Sequence, residues 1–247
     1  MNMFSEAFHQ YKYWCTKRRE ELTELVGERT GHAVVAGPFK GMIILPWWSW
    51  GDGDHAVKLL GIYESELYGV AEEQVAAKPD YILNVGCAEG FWGLGMALRT
   101  GAAATLIDVN DLGLEIAKEN ARANNLENIE YSNESTTAKI DEILSEHMNP
   151  LLIMDCEGAE DQLLDLTAVP NLKHTAILLE SHDCFIPGIT DRIKERFADT
   201  HTVVEIGQGA KNPYIDVIKD LGDHDKMLLC IEGRAMTMSW LYMVPQI

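Results

Sequence analysis

Four carboxylates stand close together after an apolar run in the segment LLIMDCEGAED, residues 151–161. Carboxylates placed in this way can accept a proton from a reacting group or ligate a hard divalent cation. Asp155 and Glu157 follow the apolar run directly, so we expect them at the rim of an active site, with capping of the next helix as the alternative for Glu157. Glu160 and Asp161 are interpreted as favourable charges in the first turn of that helix.

A second apolar run ends in LLESHD, which also places ionisable side chains at the end of a predicted strand. Strand alternation predicts that Glu180 and His182 share one face. His182 is the predicted proton acceptor because its unperturbed pKa is about 6.5, and a structural bond to a loop carbonyl is the alternative. The acids could also bind Mg²⁺, which would lower the pKa of a bound hydroxyl. The candidate ligands are Asp155, Glu157, Glu180, His182 and Asp183.

Small residues recur in the segment NVGCAEGFWG, between a predicted strand and a predicted helix. Gly86, Ala88 and Gly90 let the backbone approach a ligand closely. Asp108 follows this loop at about 20 residues, the distance at which a carboxylate meets the hydroxyls of a ribose. A nicotinamide dinucleotide site would need a third glycine where this sequence has Phe91. The spacing therefore favours a nucleoside ligand other than a nicotinamide dinucleotide.

Strands and helices are predicted to alternate from residue 79 onward, which indicates a parallel sheet covered on both faces. The last apolar segment, MSWLYMVP, is predicted to form an antiparallel edge strand. Ligands of such sheets lie at the carboxyl ends of the strands, where the residues described above are found. Before residue 79 we predict a helix over residues 3–26, a hairpin-like segment over 33–46, and one helix over 58–78.

Residues from about 80 to 245 resemble a class I S-adenosylmethionine-dependent methyltransferase, and LLIMDCEGAE is similar to the I-D-V-E-G-A-E segment of FkbM-type methyltransferases. The resemblance implies a Rossmann-like α/β fold, with a seven-stranded, mostly parallel sheet and helices on both faces. It also implies S-adenosylmethionine as methyl donor and an oxygen acceptor on a small molecule or sugar.

Carried over residue by residue, the resemblance implies a donor site along the strand ends. The glycine loop would border the methionine end, Asp108 the ribose, and Asn133 or Glu134 the adenine. Asp155, Cys156 and Glu157 would lie near the transferred methyl. Asn84 departs from the pattern, because the superfamily usually has an acid there to hold the donor's ammonium group; Glu89 is the expected substitute. The full set of predicted donor contacts is Gly86, Ala88, Glu89, Gly90, Asp108, Val109, Asn133, Glu134, Asp155 and Cys156.

Composition limits the partners and the compartment. Twenty Lys and Arg against 39 Asp and Glu give a net charge of −19, which repels nucleic acid and anionic lipid surfaces. The five cysteines form no C-x-x-C pair, and neither a signal peptide nor a bilayer-spanning run is visible, so we expect a cytoplasmic protein with reduced thiols. At 247 residues the chain suits one domain with an elaboration: an N-terminal helical and β extension or cap (1–78) and a methyltransferase domain (79–247).

Several alternatives stay open at this point. Trp47, Trp48 and Trp50 beside His55 could contact a sugar ring or the sulfonium, although tryptophans more often belong to a core. The rival functions are a nicotinamide-dependent oxidoreductase and a non-catalytic ligand-binding protein on the same fold. The first helix could form a dimer interface, but covering its own domain is the simpler expectation, and the oligomeric state is not predicted.

Overall fold

The computed structural model describes residues 3–47, 54–234 and 236–246. A single sheet contains the strands β1 Tyr81–Val85, β2 Ala103–Ile107, β3 Ile129–Ser132, β4 Pro150–Met154, β5 Ala176–Ser181, β6 His201–Gly207 and β7 Ser239–Pro245. The α-helices of the described residues are α1 Met3–Thr30, α2 His55–Leu60, α3 Tyr68–Ala77, α4 Phe91–Thr100, α5 Asp111–Ala123, α6 Thr137–Ser145, α7 Glu160–Leu163, α8 Ile189–Phe197 and α9 Asp223–Leu228. No helix in these ranges is both long and apolar enough to cross a bilayer.

The strand order is β3-β2-β1-β4-β5-β7-β6, which confirms the predicted seven-stranded, mostly parallel sheet. β7 runs antiparallel to both of its neighbours, as expected. Its predicted edge position is wrong, because β7 lies between β5 and β6. The reason is its burial: Trp240 and Tyr242 are buried on one face and Leu241 and Met243 on the other, the pattern of an interior strand. β6 alternates between buried and exposed side chains and forms the edge.

Both faces of the sheet carry a hydrophobic core, because successive side chains along each strand point to opposite sides. Leu83 and Met154 lie in the core beneath α6 and α8. Ile82 and Ile153 lie in the core on the opposite face, together with side chains of α4 and α5. That second core also contains residues from the N-terminal segment, so this segment packs directly on the sheet. The division of the chain into 1–78 and 79–247 stays a prediction.

Helix α1 is buried only in its second half. Leu22 and Val26 lie in the core, whereas Phe8 and Trp14 are 64% and 61% exposed. Bidentate contacts from Arg18 to Asp225 fix the middle of the helix to α9. The predicted apolar stripe therefore covers the protein's own core only at its carboxyl-terminal end.

The predicted single helix over residues 58–78 is wrong, because the chain turns at Gly61 between α2 and α3. Gly61 has φ +67°, and a Cβ there would lie 2.1 Å from the carbonyl oxygen of Ala36. The segment 33–46 lies so close to Gly61 that only glycine fits there, and α2 ends at this position. That segment is held by an antiparallel bridge between Ala33 and Ile43, in agreement with the hairpin-like prediction.

Candidate active site

The glycine loop joins β1 to α4 and lies against the carboxyl end of β4. Gly86 has φ +72°, and a Cβ there would lie 1.6 Å from the carbonyl oxygen of Asp155. The amides of Gly86 and Cys87 both donate to the carbonyl of Ile107 at the end of β2, at 2.8 and 3.1 Å. The sequence thus folds so that the loop, Asp155 and the end of β2 meet at one place. Gly90 has φ +85° and ends the loop directly before α4.

Asp108 lies buried beside the loop at the end of β2. One of its carboxylate oxygens accepts the amide of Ala88 at 2.7 Å, and the other accepts the amide of Asn110 at 2.8 Å. Its predicted role with a ribose stays a prediction. Val109 is exposed next to it, and Asn133 and Glu134 are exposed after β3, so these predicted donor contacts lie on the same rim.

Asn84, near the carboxyl end of β1, is engaged in structural hydrogen bonds. Its Oδ1 accepts the amide of Gly93 in α4 at 3.0 Å, and its Nδ2 donates to the carbonyl of Ile153 at 3.3 Å. The asparagine therefore joins α4, β1 and β4. Glu89, the expected substitute for an acid at this position, forms a buried ion pair with Lys58 of α2.

His182 stands at the centre of the acids that follow β4 and β5. Its Nδ1 lies 2.6 Å from Glu160 Oε1. Its Nε2 lies 3.4 Å from Asp155 Oδ1 and 3.5 Å from Glu157 Oε2. The Phe185 ring stacks on the imidazole with the ring centroids 5.7 Å apart. A buried imidazole held at one nitrogen by a carboxylate, with the other nitrogen facing the strand ends, has the arrangement of a general base.

The surrounding charges adjust the acidity of this group. Burial alone would lower the pKa of His182, but the hydrogen bond to Glu160 and the nearby carboxylates raise it above its usual value. Burial raises the pKa values of Asp155 and Glu157, and their mutual repulsion adds to the shift for Glu157. Burial also disfavours the charge of Glu160, but the His182 hydrogen bond outweighs it and lowers the pKa of that carboxyl.

Glu160 and Asp161 lie in the first turn of α7, as predicted. Glu160 has a second role that the sequence analysis did not predict. Glu160 is fully buried, and besides His182 it accepts the amide of Cys156 at 3.2 Å. The acid that receives a backbone amide here is therefore Glu160, not Glu157. Asp161 is directed elsewhere and pairs with Arg192 and Arg196 at 3.0 and 2.7 Å. From sequence alone, nothing distinguished these adjacent acids, because the direction of each side chain depends on how α7 packs.

Two of the five candidate metal ligands point away from the others. Glu180 pairs with Arg234, and Asp183 accepts the amide of Gly188 at 2.8 Å and the hydroxyl of Thr190. The predicted shared face of Glu180 and His182 is not formed by strand alternation. β5 ends at Ser181, so the alternation does not extend to His182. The remaining three residues, Asp155, Glu157 and His182, each offer one ligand atom within 4.8 Å of the others.

A buried cluster of charges, which sequence reasoning missed, lies behind Glu180. Arg234 contacts Glu180, Glu64 and Glu232, with its Nε 3.2 Å from Glu232 Oε2. The indole of Trp92 also donates to Glu64. Burial, only partly offset by Arg234, raises the pKa of Glu64 to about 7. In the sequence, the cluster is indicated only by an arginine that follows a glycine in an acid-rich chain. This pattern does not identify Glu64, 170 residues away, as the partner of Arg234.

A cavity of about 50 Å³ lies between the glycine loop, Asp155 and the N-terminal segment. Its wall includes Lys58, Tyr63 and Trp240. Two buried polar atoms at this cavity, Asp155 Oδ1 and Trp240 Nε1, have no hydrogen-bond partner among the described residues. Buried polar atoms are normally satisfied, so these two atoms point to a polar ligand or ordered water.

The other predicted site residues contribute less. Burial raises the pKa values of the Cys87 and Cys156 thiols well above their usual value, which makes both poor nucleophiles. Trp47 is half exposed and lines a separate groove with Leu112 and Ile116. Trp48 and Trp50 lie outside the described residues, so a role of the tryptophan segment in ligand binding stays a prediction.

No protein-family model and no curated protein matches this sequence. Solved structures nevertheless share its fold. The ribosomal protein L11 methylase of Lactobacillus delbrueckii subsp. bulgaricus is 14% identical with a TM-score of 0.50, and the match covers 83% of this chain and 86% of that one. The O-methyltransferase of Bacillus cereus, whose structure contains SAH, is 12% identical with a TM-score of 0.52, covering 93% and 91%. The chain thus has the α/β fold of class I S-adenosylmethionine-dependent methyltransferases.

Proposed function

We propose that this protein is an S-adenosylmethionine-dependent O-methyltransferase of the FkbM type that acts on a hydroxyl of a small metabolite or sugar-like acceptor. The observation that carries the proposal is the position of His182. Its Nε2 faces Asp155 and Glu157, while the carbonyl of Asp155 meets the glycine loop at Gly86. These contacts support His182 as the proton acceptor, because Asp155 connects it to the loop at which class I methyltransferases bind their donor.

The residues present fit such a ligand. Asp155 and Trp240 line the cavity, and their buried atoms Oδ1 and Nε1 form no hydrogen bond among the described residues, so they could serve as an acceptor and a donor for a polar ligand. S-adenosylmethionine, when bound, supplies an electrophilic methyl group on a sulfonium sulfur. The fold is shared with a Bacillus cereus O-methyltransferase whose structure contains SAH, which supports the same donor here.

Proton removal from the acceptor is assigned to the His182–Glu160 pair. Glu160 holds the Nδ1–H of the imidazole, so Nε2 carries the free electron pair. His182 Nε2 would take the proton of the acceptor hydroxyl, and Glu160 would stabilise the imidazolium that forms. The donor would supply the methyl group and keep the electron pair of its carbon–sulfur bond. Asp155 and Glu157 orient the hydroxyl.

A bound Mg²⁺ is a second role for the same residues. Asp155, Glu157 and His182 together have the donor atoms for a hard cation, and such an ion would lower the pKa of the acceptor hydroxyl. In that case His182 would be a ligand and not the base. The two roles differ in whether turnover survives chelation.

We further propose a cytoplasmic protein without nucleic-acid or membrane partners. All five cysteines are free thiols, as expected in a reducing compartment, and the charge of −19 opposes binding to anionic polymers and surfaces. The same charge favours a neutral or cationic acceptor.

The first experiment is calorimetric titration of the metal-depleted protein with S-adenosylhomocysteine, repeated with Mg²⁺. We expect micromolar binding in both conditions, followed by methyl transfer in a panel of hydroxylated acceptors. Absence of binding in both conditions would refute the methyltransferase proposal. Binding of NADH instead would support the oxidoreductase, and donor binding without any turnover would support a binding protein.

A further inference from the structure

The first half of helix α1 carries large aromatic side chains that remain mostly exposed. Phe8, Tyr11, Tyr13 and Trp14 are 64%, 61%, 55% and 61% exposed. A single exposed apolar side chain is ordinary on a protein surface, but four aromatic residues within seven positions form a patch. We call residues 8–19 the aromatic arm. A patch of this kind indicates an interaction surface.

The aromatic arm continues the face of α1 that packs on the core. Phe8, Cys15 and Leu22 follow one another at intervals of seven residues, which places them on one side of the helix. Leu22 is buried in the core and Cys15 is partly buried against it, whereas Phe8 is mostly exposed. The helix therefore extends past the core with its apolar face uncovered.

The aromatic arm is basic, although the protein as a whole is acidic. Residues 8–19 contain four Lys and Arg and no Asp or Glu, in a chain of net charge −19. Arg18 and Arg19 contact other parts of the chain, whereas Lys12 and Lys17 are exposed. Lys17 pairs with an exposed acid of its own helix, and such a surface pair contributes little and is easily exchanged. A partner that covers the arm must therefore offer both apolar area and acidic groups.

A groove elsewhere on the protein has both properties. Its volume is about 440 Å³, and we call it the acidic groove. Trp47 and Leu112 in its wall are half or more exposed. Its two acids pair only with neighbours one turn along α5 at the surface, so they too can exchange partners. The groove is lined by four apolar residues and two acids: Pro46, Trp47, Leu112, Ile116, Glu115 and Glu119.

The acidic groove lies close to the carboxyl end of α1, far from the aromatic arm. The amide of Ile44 donates at 2.8 Å to the carbonyl of His32, just past the end of the helix, and Pro46 and Trp47 follow Ile44 closely. A helix rises about 1.5 Å per residue, so the aromatic residues lie roughly 25 Å from this end. The arm thus cannot reach the groove of its own chain. In two copies with antiparallel α1 helices, each arm lies at the groove end of the other helix.

We propose that this protein forms a two-fold symmetric dimer in which the aromatic arm of each copy lies in the acidic groove of the other. Lys12 and Lys17 then face Glu115 and Glu119 of the second copy. A second copy is the occupant because one chain carries both complementary surfaces, and their reciprocal contact closes the assembly. The sequence left a dimer through α1 open without a counterpart, and the groove supplies one. This inference does not depend on the proposed function.

The available area is enough for a stable dimer. An aromatic side chain buries about 150–250 Å², and Phe8, Tyr11 and Trp14 are each about 60% exposed. With the matching area of the groove and two such contacts in the dimer, the interface covers about 1,200–1,800 Å². This lies within the range of about 1,200–2,000 Å² for stable protein–protein interfaces.

The test combines charge reversals on the two surfaces of the full-length protein. Lys12→Glu/Lys17→Glu reverses the arm, Glu115→Lys/Glu119→Lys reverses the groove, and a fourfold variant carries both changes. Analytical ultracentrifugation measures the dimer dissociation constant of each protein at concentrations from about 1 to 100 µM. Circular dichroism confirms that each variant is folded.

The matched control is Lys139→Glu/Lys173→Glu, which reverses two lysines beside the core on the other face of the sheet. We expect the wild type to dimerise with a micromolar dissociation constant. Each two-residue reversal of the arm or groove should weaken dimerisation about tenfold or more, because like charges then meet. The fourfold variant should return to within about threefold of the wild type, and the control should not change. General damage to the fold could not produce such a recovery.

Two results would overturn the inference. One is a wild type that stays monomeric at about 100 µM. The other is a dimer that both reversals leave unchanged, or that the fourfold variant fails to restore, since the arm then does not meet the groove.

Trp14→Ala covers the case in which the reversed proteins do not fold, because it removes an exposed side chain and changes no charge. It should weaken dimerisation about tenfold or more, as expected for an aromatic anchor of an interface. A change of less than about threefold would contradict the proposal. Vesicles of phosphatidylcholine and phosphatidylserine test a membrane as the occupant: a monomer that binds them, and loses that binding in Trp14→Ala, would overturn the dimer.

Discussion

The candidate active site contains two charge clusters, and they differ in charge balance. Lys58 and Glu89 are matched one to one, and the pKa of each moves toward the charged form. Around His182, three carboxylates face one imidazole, and Asp155 Oδ1 has no hydrogen-bond partner among the described residues. A balanced pair suits the binding of charged ligand groups without proton exchange. An excess of acids makes the imidazole more basic and suits proton transfer.

The clusters also differ in how the chain assembles them. His182 and Asp155 follow neighbouring parallel strands, so the sheet topology alone brings them together. Lys58 and Glu89 meet only because the N-terminal segment packs on the same face of the sheet as α4. The sheet alone therefore assembles the cluster around His182, whereas the Lys58–Glu89 pair requires the N-terminal segment.

The largest expected effect is a loss of turnover in the variant His182→Gln, which changes the cluster around His182 alone. Loss of the general base should reduce turnover by about 10²–10⁴-fold, while S-adenosylhomocysteine affinity changes less than threefold. His174→Gln, an exposed histidine outside the site, is the control. Unchanged turnover of His182→Gln across pH would exclude the histidine as base.

Gly86→Ala should disturb both clusters, because Gly86 contacts Asp155 and lies in the same loop as Glu89. A Cβ would lie 1.6 Å from the carbonyl oxygen of Asp155, so the loop and β4 must separate. We expect a loss of about 3 kcal/mol or more in the free energy of unfolding, measured with urea, and loss of donor binding. Gly101→Ala isolates the conformational cost, since Gly101 has a similar φ of +74° with nothing within 4 Å. That variant should lose only about 1 kcal/mol. Equal losses in the two variants would contradict the proposed contact.

Glu64→Gln tests the third cluster, behind the site, through the pH dependence of stability. The pKa of Glu64 is raised to about 7, so its contribution is fully present below its unfolded pKa of about 4.5 and is lost as pH rises through about 7. The glutamine variant keeps a neutral side chain at every pH. It should therefore be more stable than the wild type by about 1–3 kcal/mol at pH 8, measured by urea unfolding. The two proteins should be equally stable near pH 4.5; a constant difference across this range would show that Glu64 stays ionised.

Much of the fold could be predicted because strand and helix periodicity in residues 79–247 is strong. The seven strands and the position of the glycine loop follow from apolar runs and small residues. The placement of β7 was not predictable from its sequence position, since an interior antiparallel strand depends on the last segment inserting between β5 and β6. The break at Gly61 was missed because it depends on contact with Ala36.

The sequence by itself determined which chemical groups follow the strands: the small-residue loop, the acids after β4, and His182 after β5. These are local properties, because the end of each strand is set by neighbouring residues. Only the tertiary structure decided which of the acids faces His182, that Glu180 pairs with Arg234, and that Lys58 reaches Glu89. Those choices depend on side-chain direction and on contacts between segments far apart in the chain, which residue type and spacing do not encode.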